Sequence, residues 1–520
     1  MCAQMRNFQM KKGCSYVGTV KEIDFPNKGR VVCDEGEALV KGVLPGQEVA
    51  FTVNRKKSGK CFGRLDEITK RSPLETAVPA CPDFYECGGC SYQTLEYGNQ
   101  LLLKESMVKK ILDNAVDHEF EFEGIIASPN VFGYRNKMEF SFGDEFKDGP
   151  LALGLHRRSS FYDIVTASEC RIVNEDFTAI LKETLSVCGE FNLPHYHKLR
   201  HDGYLRHLVI RRGEKTGEIL AAIVTTSRYP GGQDRFLDEL KDRLLRLELS
   251  GKINGILHVV NDSLSDTVQS DRTEILYGRD YIYDIIGDLK FKISLFSFFQ
   301  TNTSGASRLY EKAAEYVGRA DGKTVFDLYC GTGTIAQIAA GRARRAVGVE
   351  IVEEAVVAAR ENAAANGIEN CEFIAGDVLK VVDELKEKPD IIILDPPREG
   401  INPKALKKIA GFGAKKIIYI SCKPTSLSRD LAEFEDRGYV VEKASAVDMF
   451  PQTVHVETVC LLSNRKCASS EPKPELAQGL GERRGSERSL LDFVNLKPDA
   501  YVDLSLDMDD YRRIKAGSKQ

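Results

Sequence analysis

The chain has 520 residues, 42% hydrophobic and 29% charged, with a formal net charge of −5 at neutral pH. A chain of this length exceeds one hydrophobic core and divides into roughly two to four domains. No apolar run approaches the roughly 20 residues that span a bilayer, and the opening MCAQMRNFQMKKG lacks the apolar stretch of a signal peptide, so a globular cytoplasmic protein without membrane contact is expected.

In that compartment fourteen cysteines are mostly thiols, metal ligands or catalytic groups and not disulfides. Residues 1–72 carry a charge of +6 against −11 for the remainder, which points to a polyanion contact at the N-terminal end. From Tyr16 to Ile68 the runs SYVGTVKEID, GRVVCD, GEALVKGV, EVAFTVNRKKSG and KCFGRLDEI read as five short strands split by turn residues. That count fits a small OB-type barrel. Arg55-Lys56-Lys57-Ser58-Gly59-Lys60 would put positive charge on a loop tip suited to phosphates. The spacing and the L-P-G-Q-E-V stretch resemble the TRAM domain, an RNA-binding OB-like module, expected here over residues 11–70.

Cys81, Cys87 and Cys90 follow, and with the distant Cys170 they could bind zinc or an iron–sulfur cluster, because four thiolates satisfy either. TLEYGNQLLLKESMVKKILDN has helical periodicity. Strand-like runs such as KMEFSF, LRHLVIRR and EILAAIVTT then alternate with turns, so residues 71–290 are expected to form a mixed, mainly antiparallel central domain. From about Lys292 apolar strands alternate with helical stretches, the pattern of a doubly wound Rossmann-like α/β domain over residues 291–465. Residues 466–520 read as a polar linker and a C-terminal extension without a functional assignment.

Within the α/β domain, V-F-D-L-Y-C-G-T-G-T (residues 325–334) is a strand, a glycine turn and a helix start. Gly331 and Gly333 allow backbone to approach a ligand. Ala336 stands where a dinucleotide fold has its third glycine, and Asp327 lies inside the strand end, where a carboxylate balances a cationic cofactor. Glu350 ends the next strand and can take two ribose hydroxyls. Asp377 ends the third, where adenine would lie. Three acids at successive strand ends with the glycine turn indicate S-adenosylmethionine.

Asp395-Pro396-Pro397-Arg398 closes the fourth strand. An arginine after D-P-P, in place of an aromatic residue, argues against methylation of an adenine amino group. Cys422 ends the following strand at the ligand-binding rim, where Lys423 and the next helix are expected to depress its pKa. Alternation in V-H-V-E-T-V puts His455 and Glu457 on one strand face. A thiol, a carboxylate and a methyl donor suffice for methylating carbon 5 of uracil. Thiolate adds to carbon 6, the resulting enolate attacks the methyl group, and a base removes the carbon 5 proton so that the enzyme leaves by elimination.

F-S-F-F-Q-T-N, D-L-Y-C-G-T-G, L-D-P-P-R-x-G, S-C-K-P and H-V-E-T-V resemble the ordered motif set of RNA uracil-5-methyltransferases, over residues 11–465. The resemblance implies that Cys422 is the nucleophile and Glu457 the base, and that Gln300, Tyr329, Glu350 and Asp395 contact cofactor or target. It further implies a 4Fe–4S cluster on Cys81, Cys87, Cys90 and Cys170, and 23S rRNA as substrate, with transfer RNA or a non-catalytic assembly role as alternatives. Arg135, Lys137, Arg206 and Arg211 are candidate phosphate contacts. A monomer is expected.

Overall fold

A computed structural model describes residues 10–229, 233–385 and 387–465. The C-terminal extension expected from residue 466 lies outside them. Among the described residues the chain divides into two compact units. One holds the residues up to Ile23 and Lys28–Leu74, and the other holds Asp24–Asn27 and the chain from Glu75 onward.

In the first unit β1 (Ser15–Asp24), β2 (Lys28–Cys33), β3 (Gly36–Lys41), β4 (Glu48–Lys57) and β5 (Lys60–Lys70) close a barrel in the order β1–β2–β3–β5–β4. The expected OB-like barrel therefore forms. Side chains alternate with a period of two, which sends Val49, Phe51 and Val53 of β4 into one core with Val20, Val31 and Val40. A Cβ on Gly63 would lie 2.6 Å from the Phe51 ring, so this closure needs a glycine. Ser58 (φ 50°) and Gly59 (φ 75°) form the β4–β5 turn, the pair of positive φ angles that matches strand twist. The turn leaves Arg55, Lys56, Lys57 and Lys60 exposed around its tip, with Arg55 stacked 4.2 Å over Phe62.

The second unit begins with α1 (Tyr97–Asp113) and β6 (Glu121–Ile126), followed by β7 (Lys137–Asp144), β8 (Leu151–His156), β9 (Ile164–Thr166), α2 (Glu175–Glu190), β10 (Leu205–Arg212), β11 (Glu218–Thr225), α3 (Gln233–Leu245), β12 (Lys252–Val260) and β13 (Arg272–Gly278). Seven of these strands make a sheet in the order β13–β12–β11–β10–β7–β8–β9. Only β11 and β12 pair in parallel within it. Phe177 and Ile180 of α2 and Phe236 and Leu240 of α3 share a core with Phe140, Leu208 and Ile223 of the sheet. A hairpin of β14 (Tyr281–Ile286) and β15 (Leu289–Ser294) leads into the α/β portion.

That portion runs α4 (Thr303–Val317), β16 (Ala320–Leu328), α5 (Thr334–Ala340), β17 (Ala343–Glu350), α6 (Glu353–Ala365), β18 (Cys371–Ala375), α7 (Val378–Glu384), β19 (Ile391–Leu394), α8 (Pro403–Gly411), β20 (Lys416–Ser421), α9 (Pro424–Glu435), β21 (Tyr439–Val447) and β22 (Glu457–Asn464). The sheet order is β18–β17–β16–β19–β20–β22–β21–β6. Strands such as IIIL of β19 are buried throughout, as parallel strands covered on both faces must be. β22 runs antiparallel to both its neighbours. Chain order reverses between β16 and β19, which opens a crevice at their carboxyl ends. The edge strand β6 comes from far earlier in the chain and pairs in parallel with β21. Among the described residues no helix is long and apolar enough to cross a membrane.

Candidate active site

The carboxyl ends of β16, β17, β19 and β20 converge on this crevice. Asp327, on β16, is 1% exposed, and neither of its carboxylate oxygens has a hydrogen-bond partner. Burial, then the charge of Asp395, pushes its pKa up to about 8, with the Ala336 amide opposing from outside hydrogen-bond geometry. A buried carboxylate without partners is a group that a cationic ligand would satisfy.

The chain then turns sharply. The N–H groups of Tyr329 and Cys330 both donate to Val349 O, at 2.9 and 3.0 Å. Tyr329 sits at φ 78°, a strained angle for a bulky residue and one that clusters at functional sites. Burial, followed by the charges of Asp377 and Asp430, raises its phenol to about 12, so it remains a hydrogen-bond donor. Gly333 (φ 79°) permits the turn into α5, because a Cβ there would lie 2.6 Å from the Phe373 ring. The Glu350 carboxylate accepts from Gly331 N–H at 3.1 Å and Val352 N–H at 3.0 Å, which fixes its direction at the end of β17. Asp377 is not simply a free acid, since its Oδ1 caps α7 by accepting from Leu379 N–H at 2.9 Å. An oriented acid, a glycine turn and an unsatisfied buried carboxylate together fit a ligand with a diol and a cationic end.

Beside this cradle lies a second constellation. Asp395, directly after β19, keeps some solvent exposure, yet the surrounding protein desolvates it enough to push its pKa up to about 7. Glu457, the first residue of β22, is 4% exposed. Burial and then the charge of Asp395 push it up to about 8, with Arg398 opposing. The half-buried Cys422 is raised to about 11, first by burial and then by Glu457, while Arg398 pulls it back. The expected lowering by Lys423 is therefore absent: two carboxylates and desolvation dominate, and the nearby cation is Arg398. At pH 7 only about one such thiol in ten thousand is ionised. Ser426 holds the Arg398 segment by donating from Oγ to the Arg398 carbonyl at 2.8 Å.

His455 also differs from the sequence expectation. It precedes β22 instead of sharing a strand face with Glu457. Burial and the charges of Arg398, Lys104 and Arg135 lower it to about 4, so the ring is neutral, set edge-on to Phe450 at 6.0 Å. Tyr310 of α4 carries chemistry that sequence reading missed. It is 5% exposed, its phenol is raised well above its ordinary value, and it faces Asp395, Gln300, Glu457 and Asp327. The available signal was its place on the inward stripe of α4, next to Leu309 and Ala313, directly after F-S-F-F-Q-T-N. Gln300 adjoins Tyr310, and its carbonyl accepts from Asn136 Nδ2 at 3.0 Å.

Two of the candidate phosphate contacts are structural. Arg206 is 3% exposed, gives its guanidinium to the carbonyls of Asn261, Ser263 and Ser265, and stacks over Tyr196. Arg211 is equally buried and donates to the Ser297 carbonyl. Arg135 and Lys137 retain partial exposure.

Cys81, Cys87, Cys90 and Cys170 line one small pocket of about 20 Å³ with Phe84, Leu155 and Ile172. Burial is the first cause that raises all four thiols, Cys90 to about 12 and Cys170 to about 11. The donor chemistry suits a thiophilic metal. The four thiols share one pocket, but among the described residues no group of three or more His, Cys, Asp or Glu is already set at metal-holding geometry. The expected cluster is thus left without structural support.

Residues 262–465 match the family model described as tRNA (Uracil-5-)-methyltransferase. An uncharacterized RNA methyltransferase of Caldanaerobacter subterraneus is 50% identical over 87% of this chain and 99% of its own length. One of Clostridium acetobutylicum is 48% identical over 88% and 99%. Among solved structures, the Pyrococcus abyssi tRNA (uracil-54, C5)-methyltransferase in complex with S-adenosyl-L-homocysteine aligns at a TM-score of 0.67 and 26% identity, covering 86% of this chain and 100% of that one.

Proposed function

We propose, from the premise that this chain belongs to the RNA uracil-5-methyltransferase family and uses S-adenosylmethionine, that it methylates carbon 5 of a uridine in 23S rRNA with Cys422 as nucleophile and Glu457 as base. The observation that carries this reading is the grouping of Cys422, Asp395, Glu457 and Arg398 beside the Asp327–Glu350 cradle. Bound S-adenosylmethionine supplies an electrophilic methyl sulfonium. Glu350 takes the ribose hydroxyls, the turn at Gly331 admits the ligand closely, Asp327 faces the cationic end, and Tyr329 and Asp377 border the adenine.

Cys422 adds to carbon 6 as its proton passes to Asp395, since a standing thiolate is scarce; this leaves Glu457 unprotonated for the later step, and Asp395 returns the proton when the thiolate departs. Arg398 steadies the negative charge that develops. After methyl transfer Glu457 takes the carbon 5 proton, the electron pair reforms the ring double bond, and the Cys422 thiolate leaves. A Glu457 pKa of about 8 lies near working pH, where a general base is most effective. The uridine enters from a loop and flips out, because carbon 5 and carbon 6 are unreachable in a duplex. The barrel's basic tip, Arg135 and Lys137 contact the backbone. The same reading gives the barrel a TRAM-type role and Cys81, Cys87, Cys90 and Cys170 a 4Fe–4S cluster with a structural or RNA-shaping role. Iron and sulfide analysis after anaerobic purification tests the cluster, and stoichiometric zinc instead would overturn it.

Transfer RNA is the second reading, favoured by the solved tRNA enzyme that aligns over its full length. Domain layout therefore does not separate the two. Incubating unmodified 23S rRNA and unmodified tRNA with methyl-tritiated donor, then identifying the nucleoside, decides between them. Labelled 5-methyluridine in rRNA alone supports the first reading. Label in tRNA alone replaces it, and label on another base ends both.

A further inference from the structure

Glu457 is delivered by the connection from β21 to β22, Asp448–Val456, and this connection is held from outside the sheet. Its successive carbonyls each receive a donor from a different part of the chain. Met449 O accepts from Asn302 Nδ2 at 2.9 Å, Phe450 O from Lys104 Nζ at 3.0 Å, and Pro451 O from the Tyr134 hydroxyl at 2.9 Å. Gln452 O accepts the N–H groups of Ser91 and Tyr92 at 2.7 and 3.1 Å.

The side chains repeat the pattern. Gln452 and Gln100 of α1 form a reciprocal clasp, in which Gln100 Nε2 donates to Gln452 Oε1 and Gln452 N–H donates to Gln100 Oε1, both at 3.0 Å. Lys104 Nζ meets Asp448 Oδ1 at 2.7 Å with both side chains fully buried. Gln452 sits at φ 67°, an angle that persists only where the surroundings over-determine it.

Apart from Asn302, which follows Gln300 and caps α4, these partners come from outside the elements that line the crevice. Gln100 and Lys104 lie on α1, and Tyr134 precedes the seven-stranded sheet. Ser91 and Tyr92 directly follow Cys90. A buried ion pair is a poor source of net stability compared with apolar packing, and this one lies among several satisfied carbonyls. The arrangement therefore makes more sense as a device that sets direction than as one that adds stability.

We propose that Gln100, Lys104 and Tyr134 are positioning residues that fix this strap and thereby aim the Glu457 carboxylate at carbon 5. The proposal rests on the reading of Glu457 as the base. Loss of the clasp lets the strap shift, which leaves donor binding and Cys422 addition intact and slows only proton removal. A displacement of about 1 Å can cost on the order of 100-fold in rate.

The test is single-turnover methylation of whichever unmodified transcript, 23S rRNA or tRNA, the wild-type protein methylates. Its readouts are tritium release from carbon 5 and the RNA–protein adduct that survives denaturation. The variants are Glu457→Gln, Gln100→Ala, Tyr134→Phe and Gln100→Ala with Gln452→Ala. Tyr134→Phe keeps the buried ring, so a fold is preserved even where a larger change disturbs it. Expected are adduct accumulation in all four and release slowed by about 10- to 100-fold in the strap variants, with KM for RNA and donor within about two-fold. The double variant should be no slower than Gln100→Ala, because the two amides act as one unit. Adduct accumulation in Glu457→Gln, with the strap variants releasing tritium at the wild-type rate or losing only RNA affinity, overturns the positioning role alone. No accumulation in Glu457→Gln removes the base assignment and the positioning role with it.

Discussion

Two groups of thiols in this protein share one electrostatic condition and differ in company. Cys422 and the pocket cysteines Cys90 and Cys170 are all raised to about 11 or 12, with burial as the first cause. Around Cys422 stand two carboxylates and the Arg398 guanidinium, at the edge of a crevice. In the pocket the thiols face chiefly one another. The nearby Arg158 turns its guanidinium to the carbonyls of Phe84, Cys87 and Cys90 and tightens the loop that holds them. Burial alone thus makes a thiol inert, and the neighbours determine its use. A thiol beside proton acceptors and a cation suits transient addition to a substrate, whereas thiols gathered together suit a shared cation.

Replacing Cys422 by Ala should break this contrast most severely. Methyl transfer is expected to fall to background with donor binding, read by equilibrium dialysis, unchanged. On the cluster reading proposed above, replacing Cys90 by Ser should leave chemistry at Cys422 measurable but remove iron and sulfide from anaerobically purified protein. Equal and complete loss of transfer in both variants, with both folded, would erase the distinction.

A smaller effect is expected from Arg398→Met. Without the opposing cation the Cys422 thiol rises further, and its alkylation by iodoacetamide at pH 8 should slow by about ten-fold, as one pKa unit would give. The melting temperature serves as the control, and a marked drop alongside the slowing would show that Arg398 acts through the fold.

The smallest effect concerns stability. Glu457 has a folded pKa of about 8, above its ordinary 4.5, so the folded state binds a proton that the unfolded state releases over that interval. Wild-type stability is therefore lost as pH rises from about 4.5 through about 8, and it levels off above. Glu457→Gln lacks this loss, so its melting temperature should gain on wild type between pH 5 and 8 by a few degrees. A constant difference across that range would contradict the buried, protonated state.

The barrel and the doubly wound sheet were legible because their patterns are local. Period-two strands with glycine turns, and apolar strands alternating with helices, each carry their signal within a few residues. Strand ends at Asp327, Glu350 and Asp395 were legible for the same reason. β6 was not, because EFEGII says nothing about pairing with a strand more than three hundred residues later. Arg206 and Arg211 misled because an arginine in sequence does not reveal whether backbone carbonyls will claim it. His455 lay in an alternating stretch, but the Asp448–Val456 strap overrides the alternation until Glu457. The Cys422 pKa reversed its expected direction because Lys423 was the only visible neighbour in sequence, while Glu457 and Arg398 arrive through the fold.

The most direct test of Cys422 as the nucleophile for carbon 5 methylation is release of tritium from carbon 5 of labelled uracils in unmodified 23S rRNA and tRNA with S-adenosylmethionine, for wild type and Cys422→Ala. Release by wild type alone, in step with methyl incorporation, is the expected result. Methyl incorporation without tritium release, or equal release by Cys422→Ala, would contradict it.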